Sequence, residues 1–196
     1  MNIWHDIDPA RITPRDFIAY IEITKGQKQK YELDKATGML ILDRVLYTST
    51  HYPANYGFIP RTLSDDGDPL DVLVLCSEPI LNCSLVRCYP IGIITMDDGG
   101  DLDEKIIALP FGDPTYAGFK SVHDMPQHLT DEMSHFFTVY KQLEGKNTFV
   151  SKTEGHRAAR ECIERCIAAY NEKYGRECAV CPRGRAAEKT QRRPFD

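Results

Sequence analysis

The amino-acid sequence predicts a mainly β fold in which an antiparallel barrel or sheet has helices packed outside it. Segments of alternating or β-branched residues occupy the first 110 residues, and helical periodicity appears only after them. Strands followed by helices favour this class, whereas a doubly wound parallel sheet would interleave the two patterns. The 196 residues are enough to bury one substantial core.

Five strands are predicted from β-branched or alternating residues. They cover residues 17–23, 39–47, 72–76, 85–96 and 105–110. Turn residues at 35–38 and 97–100 separate several of them. The second turn is also rich in carboxylates, which is typical of a polar hairpin tip.

Two helices are predicted from apolar residues at helical spacing. The first has an apolar face formed by Leu129, Met133, Phe136, Phe137 and Tyr140. The second has Ile163, Cys166, Ile167, Tyr170 and Tyr174 at similar spacing. Arginine and lysine with little apolar content follow, so we expect a single domain over residues 1–177 and a disordered basic tail over 178–196.

Composition favours a soluble protein of the cytosol. Hydrophobic residues make up 42% of the chain and charged residues 27%, as in ordinary globular proteins. The net charge of −5 argues against a general affinity for nucleic acid, which needs a basic surface. No apolar run approaches the ~18 residues that a bilayer span requires, and the N-terminus lacks the pattern of a signal peptide. We therefore expect no membrane partner and a cytoplasmic location.

The cysteines are predicted to be small apolar side chains. Their number is odd, seven, and in a reducing compartment buried thiols are more common than disulfides. This prediction covers Cys76, Cys83, Cys88, Cys162 and Cys166. The other two, Cys178 and Cys181, form a lone C-x-x-C motif without the further ligands that a zinc site needs.

The run from Asp65 to Asp71 carries the strongest chemical signal. It holds four carboxylates in seven residues, directly before the apolar segment 72–75. Like charges this close repel unless a cation lies among them. Oxygen ligands alone indicate Mg²⁺, Mn²⁺ or Ca²⁺ rather than zinc. A second acidic cluster at 97–104 could converge with the first, because two metal ions require more carboxylates than one loop offers.

Two other acidic motifs do not fit this sequence. An EF-hand loop starting at Asp66 would place Asp71 where glycine is needed and Ser77 where glutamate is needed, so that interpretation fails. An aspartyl-phosphate hydrolase puts its carboxylate pair after an apolar strand in an interleaved chain. In this sequence the apolar strand follows the carboxylates instead.

Cations and phenols recur among the predicted strands and at the end of the first helix. Lys30, Arg44, the pair Tyr140 and Lys141, and the aromatic run 51–58 are all able to bind anionic oxygens. Metal ligands and cationic donors in one site suit a highly charged phosphate substrate.

The segment Asp66-Gly67-Asp68-Pro69-Leu70-Asp71-Val72 resembles the signature of the soluble family I inorganic pyrophosphatases of bacterial type. Further blocks around residues 21–23, 30–34, 42–44, 52–59, 98–105 and 135–141 extend the resemblance over roughly residues 15–175. It implies a five-stranded OB-type barrel with two longer helices packed outside. It also implies hydrolysis of pyrophosphate with Mg²⁺, or with Mn²⁺ or another divalent cation, by a homo-oligomer, with a hexamer favoured.

The resemblance also implies roles for individual residues. Metal binding would fall to Asp66, Asp71, Asp98, Asp103 and Glu32, and proton acceptance from the attacking water to Asp68. The substrate would be held by Lys30, Arg44, Tyr56, Lys105, Tyr140 and Lys141. Glu22 and Tyr52 would support the site.

Two alternative functions stay open at this point. One is a metal-dependent phosphohydrolase that acts on nucleotides or polyphosphate. The other is a non-catalytic OB-type module that binds nucleic acid, since its many tyrosines and phenylalanines could stack on bases.

Overall fold

The computed structural model describes residues 2–175, which form eight β-strands and two α-helices. The strands are β1 (Phe17–Ile23), β2 (Gln29–Leu33), β3 (Leu40–Val45), β4 (Asn55–Phe58), β5 (Asp71–Val74), β6 (Leu85–Asp98), β7 (Asp101–Pro110) and β8 (Thr148–Gly155). The helices are α1 (Gln127–Val139) and α2 (His156–Tyr174).

Five of the strands close into a barrel. They follow the order β1-β4-β5-β7-β6, and β6 pairs again with β1. The predicted five-stranded barrel with two longer helices is thereby confirmed. One pair departs from the expected antiparallel arrangement, because β5 runs parallel to β7.

The predicted strands correspond to β1, β3, β5, β6 and β7, while β2, β4 and β8 were not predicted. β3 lies outside the barrel and pairs with β2 in a separate hairpin. β8 lies between the two helices along the chain and adds to the barrel through β6. The strict order of strands before helices is therefore wrong at this one element.

Glycine is required at two places, the β6–β7 turn and the contact between β4 and β1. Gly99 and Gly100 have φ values of 73° and 104°, so the two-residue turn between β6 and β7 uses conformations that glycine adopts without strain. The acidic segment is thus a hairpin tip, as predicted. In β4, a Cβ on Gly57 would lie 1.8 Å from the carbonyl oxygen of Tyr20, so only glycine fits against β1.

The helices cover two parts of the barrel core. Met133, Phe136 and Phe137 of α1 are buried in the cluster that contains Leu73 and Ile94. On α2, the buried side chains Ala159, Cys162, Ile163 and Cys166 pack in the cluster that contains the apolar residues of β1. Each fully buried aliphatic or aromatic side chain stabilises the fold by roughly 1.5–3 kcal/mol. Both predicted apolar faces are therefore turned inward.

The cysteine prediction is confirmed in part. Cys88, Cys162 and Cys166 are buried, but Cys83 is exposed and Cys76 is half-buried. Cys83 is exposed because it lies in the turn before β6 with a φ of 62°. The predictions for the tail and for the Cys178–Cys181 motif fall outside the described residues 2–175. No helix within that range combines the length and hydropathy needed to span a bilayer.

Candidate active site

A cleft of about 280 Å³ opens at one end of the barrel. Among the residues predicted for the site, all except Arg44 line it. They are Glu22, Lys30, Glu32, Tyr52, Tyr56, Asp66, Asp68, Asp71, Asp98, Asp103, Lys105, Tyr140 and Lys141. A larger groove of about 470 Å³ shares with this set only Tyr52, so the chemistry is concentrated in the smaller cleft.

Strand register explains why distant carboxylates meet in the cleft. In the parallel β5–β7 pair, Asp71 lies opposite Lys105. Asp103 lies two residues before Lys105 on β7, so both side chains point to the same face. The β6–β7 turn brings Asp98 to the same end of the barrel. The two acidic clusters therefore converge, as the sequence predicted.

Lys105 is the central cation of the cleft and is only 2% exposed. Its Nζ lies 2.6 Å from Asp71 Oδ2, 3.0 Å from Asp103 Oδ1 and 3.1 Å from Tyr56 Oη. Burial alone would favour the neutral amine, but Asp71 and Asp103 raise the pKa of Lys105 above its ordinary value. The ammonium is therefore charged at any physiological pH.

The two groups beside Lys105 hold protons more tightly than usual. Burial raises the pKa of the Asp71 carboxyl; the charge of Lys105 opposes this shift and that of Asp103 adds to it. Burial also raises the pKa of the Tyr56 phenol well above its ordinary value, with a further contribution from Asp71. Tyr56 therefore remains a hydrogen-bond donor, and its hydroxyl donates to Asp71.

The other lysines of the cleft are also paired with carboxylates. Lys141, just after α1, donates to Asp98. Lys30 on β2 pairs with Glu32 and lies 3.6 Å from Asp43. A fourth pair joins Lys35 to Asp68. Positive and negative groups thus alternate around the cleft.

The loop before β5 presents Asp66 and Asp68. Gly67 has a φ of 89°, a left-handed conformation that permits the tight turn. Asp66 Oδ1 accepts a hydrogen bond of 2.9 Å from the backbone N–H of Asp68. The turn is closed by the backbone N–H of Ser64, which donates to the Asp68 carbonyl oxygen at 2.7 Å.

Glu22 and Tyr52 form the buried wall of the cleft. Glu22 Oε1 accepts a hydrogen bond of 2.8 Å from the backbone N–H of Leu33. Burial and the nearby charge of Asp71 raise the pKa of Glu22 to about 8. The Tyr52 ring packs 5.4 Å from Tyr56 and 4.9 Å from Phe136, measured between ring centroids.

Arg44 is the one predicted site residue that does not line the cleft. Its Nε donates to Glu144 Oε1 at 2.9 Å, and its Nη1 donates to Asp43. Nη2 is buried and has no hydrogen-bond partner within residues 2–175. A buried guanidinium nitrogen without a partner is costly, so Arg44 carries one unused donor just outside the cleft lining.

Sequence reasoning missed several residues that line the cleft, Trp4 and Lys35 among them. Trp4 comes from the N-terminal segment, and its Nε1 donates to the Thr62 carbonyl oxygen at 2.9 Å. Lys35 lies in the turn between β2 and β3. Neither belongs to a local motif with chemical meaning, and only the folded chain brings them to the cleft.

The donor groups fit a hard divalent cation. Asp66, Asp71 and Asp103 line both the cleft and a small adjoining pocket of about 20 Å³. Carboxylate oxygen is the ligand type that Mg²⁺ and Mn²⁺ prefer. Residues 2–175 contain no preformed cluster of three or more candidate metal ligands. Asp71 and Asp103 contact Lys105 instead.

Comparison with known proteins adds a second line of evidence. Residues 19–171 match the family model described as inorganic pyrophosphatase. The chain belongs to the inorganic pyrophosphatase family. The sequence-based assignment is thereby confirmed, and with it the class of enzyme, an inorganic diphosphatase. Family membership also favours an enzyme over a non-catalytic nucleic-acid-binding module.

Relatives and solved structures agree with this family. The inorganic pyrophosphatase of Aquifex pyrophilus is 45% identical over 172 residues, which are 86% of this chain and 97% of that protein. The structure of the Thermus thermophilus inorganic pyrophosphatase superposes with a TM-score of 0.82 at 36% identity and covers 87% of this chain and 99% of that one. The Helicobacter pylori inorganic pyrophosphatase gives a TM-score of 0.78 at 43% identity, with 81% and 95% covered.

Proposed function

We propose that this chain hydrolyses inorganic pyrophosphate to two orthophosphates in a Mg²⁺-dependent reaction, with Asp68 as the general base. The observation that carries the proposal is the alternation of ammonium and carboxylate groups around one cleft. A polyanion bound with divalent cations needs both kinds of group in the same place. Neither kind alone would serve, because carboxylates repel the substrate and lysines repel the metal.

The metal ligands in this proposal are Asp66, Asp71 and Asp103, with Asp98 and Glu32 completing the set. Asp71 and Asp103 both contact Lys105, so their oxygens already converge on one cationic centre. When bound, Mg²⁺ supplies charge neutralisation to the phosphates and acidifies the attacking water. Mn²⁺ prefers similar ligands and is the expected substitute.

The substrate ligands exchange partners on binding. Lys105 and Lys141 pair with carboxylates in the structure, and each ammonium would be released to a phosphate oxygen once its carboxylate held a divalent cation. Charge balance is kept throughout, so the exchange avoids the large cost of an uncompensated charge at a buried position. Lys30 makes the same exchange from Glu32.

The neutral donors act beside these cations. Tyr56 and Tyr140 keep their protons because burial raises the pKa of both phenols, and each O–H donates to a phosphate oxygen. Arg44, which is charged and lies outside the cleft lining, is proposed as a further donor through the Nη2 group that lacks a partner in residues 2–175, which requires its side chain to turn toward the cleft. As the bridging P–O bond breaks, these donors and the lysines stabilise the charge that develops on the leaving phosphate.

Asp68 is the proposed proton acceptor. Its carboxylate is half-exposed and stands at the cleft rim on the tight turn around Gly67. The hydrogen bonds of this short turn fix the backbone of Asp68, and its carboxylate at the rim is proposed to orient a water molecule as well as take its proton. The Asp66 carboxylate differs from that of Asp68 because it accepts a hydrogen bond from the backbone N–H of Asp68.

Phosphate release from pyrophosphate tests the proposal. We expect release with Mg²⁺ and none with excess EDTA. The Asp71→Asn variant should require a much higher Mg²⁺ concentration, whereas the Lys152→Met variant, which removes a surface ion pair with Glu154, should match the wild type. Tripolyphosphate and a nucleoside triphosphate are the comparison substrates. Faster release from either, or full activity in EDTA, would refute the proposal.

We also propose that the protein works in the cytosol as a homo-oligomer, with a hexamer favoured, and that residues 1–177 are its one domain. Exposed apolar side chains on and near the β2–β3 hairpin support the oligomer, since Met39, Ile41 and Tyr47 are 69%, 56% and 64% exposed. Such a patch is typical of a subunit interface. Light scattering coupled to gel filtration measures the subunit number, and a monomer at micromolar concentration would contradict the proposal.

A further inference from the structure

Lys35 forms an ion pair with Asp68, as the other lysines of the cleft do with other carboxylates. Lys30, Lys105 and Lys141 each contact a carboxylate proposed as a metal ligand. Lys35 contacts the carboxylate proposed as the general base. Within residues 2–175, Lys35 is the only side chain that bonds the Asp68 carboxylate. Lys35 is neither a proposed metal ligand nor a proposed substrate ligand.

Two contacts hold the Lys35 side chain, one with Asp68 and one with the ring of Trp4. Lys35 lies in the turn that joins β2 to β3, and its Nζ stands 5.6 Å from the centroid of the Trp4 ring. Trp4 itself is 3% exposed and is anchored by its hydrogen bond to the Thr62 carbonyl oxygen. Asn2 Oδ1 accepts from the Trp4 backbone N–H at 3.0 Å, which ties the N-terminal segment to the same place. An aromatic face beside an ammonium is a favourable arrangement.

We propose that Lys35 is a positioning residue that orients the Asp68 carboxylate toward the attacking water. This inference rests on the proposed function, because it takes Asp68 as the general base. Lys35 joins β2–β3 to the loop that carries Asp68, so a half-exposed carboxylate at the rim keeps one orientation instead of sampling several. Proton transfer depends steeply on that orientation, whereas substrate affinity does not.

The first test separates kcat from KM. For Lys35→Met we expect kcat to fall about fivefold, which is the upper range for a half-exposed ion pair, with KM changed less than twofold. Lys35→Arg should restore most of kcat. Lys152→Met is the matched control, because Lys152 forms a similarly exposed pair with Glu154 and neither residue lines the cleft. An unchanged kcat, or a rise in KM alone, would overturn the proposal.

The second test uses Trp4, which is the only tryptophan of the chain. Asp68→Asn removes the charge that holds Lys35, so it should shift the Trp4 emission spectrum. The same substitution in a Lys35→Met background should give no further shift. Equal shifts in both backgrounds would show that the two residues are uncoupled and would overturn the proposal. This readout needs no substrate, and an inactive wild type would contradict the proposed function without affecting the emission result.

Discussion

Replacing Lys105 by methionine tests the electrostatic design of the cleft. The ammonium of this nearly buried side chain contacts Asp71 and Asp103. Methionine keeps most of the side-chain volume, which packs against the rings of Tyr56 and Phe137. The substitution therefore removes the charge and leaves the packing largely intact. Two neighbouring carboxylates are then left without their shared cation.

The expected loss of stability follows from the exposure of the three side chains. Breaking a fully buried ion pair costs about 3–5 kcal/mol, because the remaining charge is uncompensated. The side chains of Asp71 and Asp103 are 29% and 25% exposed, so water screens part of that cost. We therefore expect a loss of about 2–3 kcal/mol in the free energy of unfolding, or roughly 5–10 °C in melting temperature for a chain of this size.

Denaturant unfolding in EDTA and in excess Mg²⁺ is the decisive assay. In EDTA the Lys105→Met variant should show the full loss. In Mg²⁺ the loss should shrink, because the cation must compete with Lys105 for Asp71 and Asp103 in the wild type but meets no such competitor in the variant, which gains ~2.7 kcal/mol at about 100 times its own dissociation constant. The Lys152→Met control should stay within about 0.5 kcal/mol of the wild type in both solutions. A loss that is the same in EDTA and in Mg²⁺ would refute the reasoning.

Three further predictions concern single residues. Asp68→Asn should reduce kcat by about 100-fold or more with unchanged circular dichroism; near wild-type turnover would exclude it as the base. Glu22 has a folded pKa raised from 4.5 to about 8, so its contribution to stability falls as the pH rises between those values. Glu22→Gln should flatten that part of the stability–pH curve, and an identical curve would contradict the burial argument. Gly57→Ala should lower the free energy of unfolding by more than about 3 kcal/mol, since its Cβ would lie 1.8 Å from the Tyr20 carbonyl oxygen; a melting temperature close to that of the wild type would contradict this.

Burial explains some of the strand predictions but not all, because the fully buried β4 was missed and the largely exposed β3 was predicted. Every residue of β1 is buried, and its bounds Phe17–Ile23 were predicted without error. β2 was missed because its sequence, Gln29–Leu33, is polar and has no fully buried position. β8 was missed for a similar reason. It pairs only with β6, at the outside of the barrel, and Thr148 is its one fully buried residue, so its sequence shows no clear strand pattern. The parallel β5–β7 pairing depends on the path of the chain between the two strands, which no local sequence pattern encodes.

Site residues were predictable where they belong to a motif. Asp66, Asp68 and Asp71 lie within six residues, and their convergence follows from one turn. Lys35 gave no such signal, because a lysine followed by Ala-Thr-Gly looks like an ordinary solvated turn. Its contact with Asp68 spans 33 positions and depends on how the β2–β3 hairpin packs. Residue type and spacing cannot supply that information.

Strand β7 makes one half of the cleft more rigid than the other. Its residues 105–108, which include Lys105, pair with β5 on one side and β6 on the other and are enclosed within the barrel wall, whereas Asp103 pairs with β6 alone. The amide protons of residues 105–108 can exchange with solvent only when neighbouring strands separate, which places them in the slowest-exchanging group of the protein. The turn around Gly67 has few such constraints and should exchange early. The cleft thus combines a rigid half, where cations are held, with a softer rim, where the proton is taken.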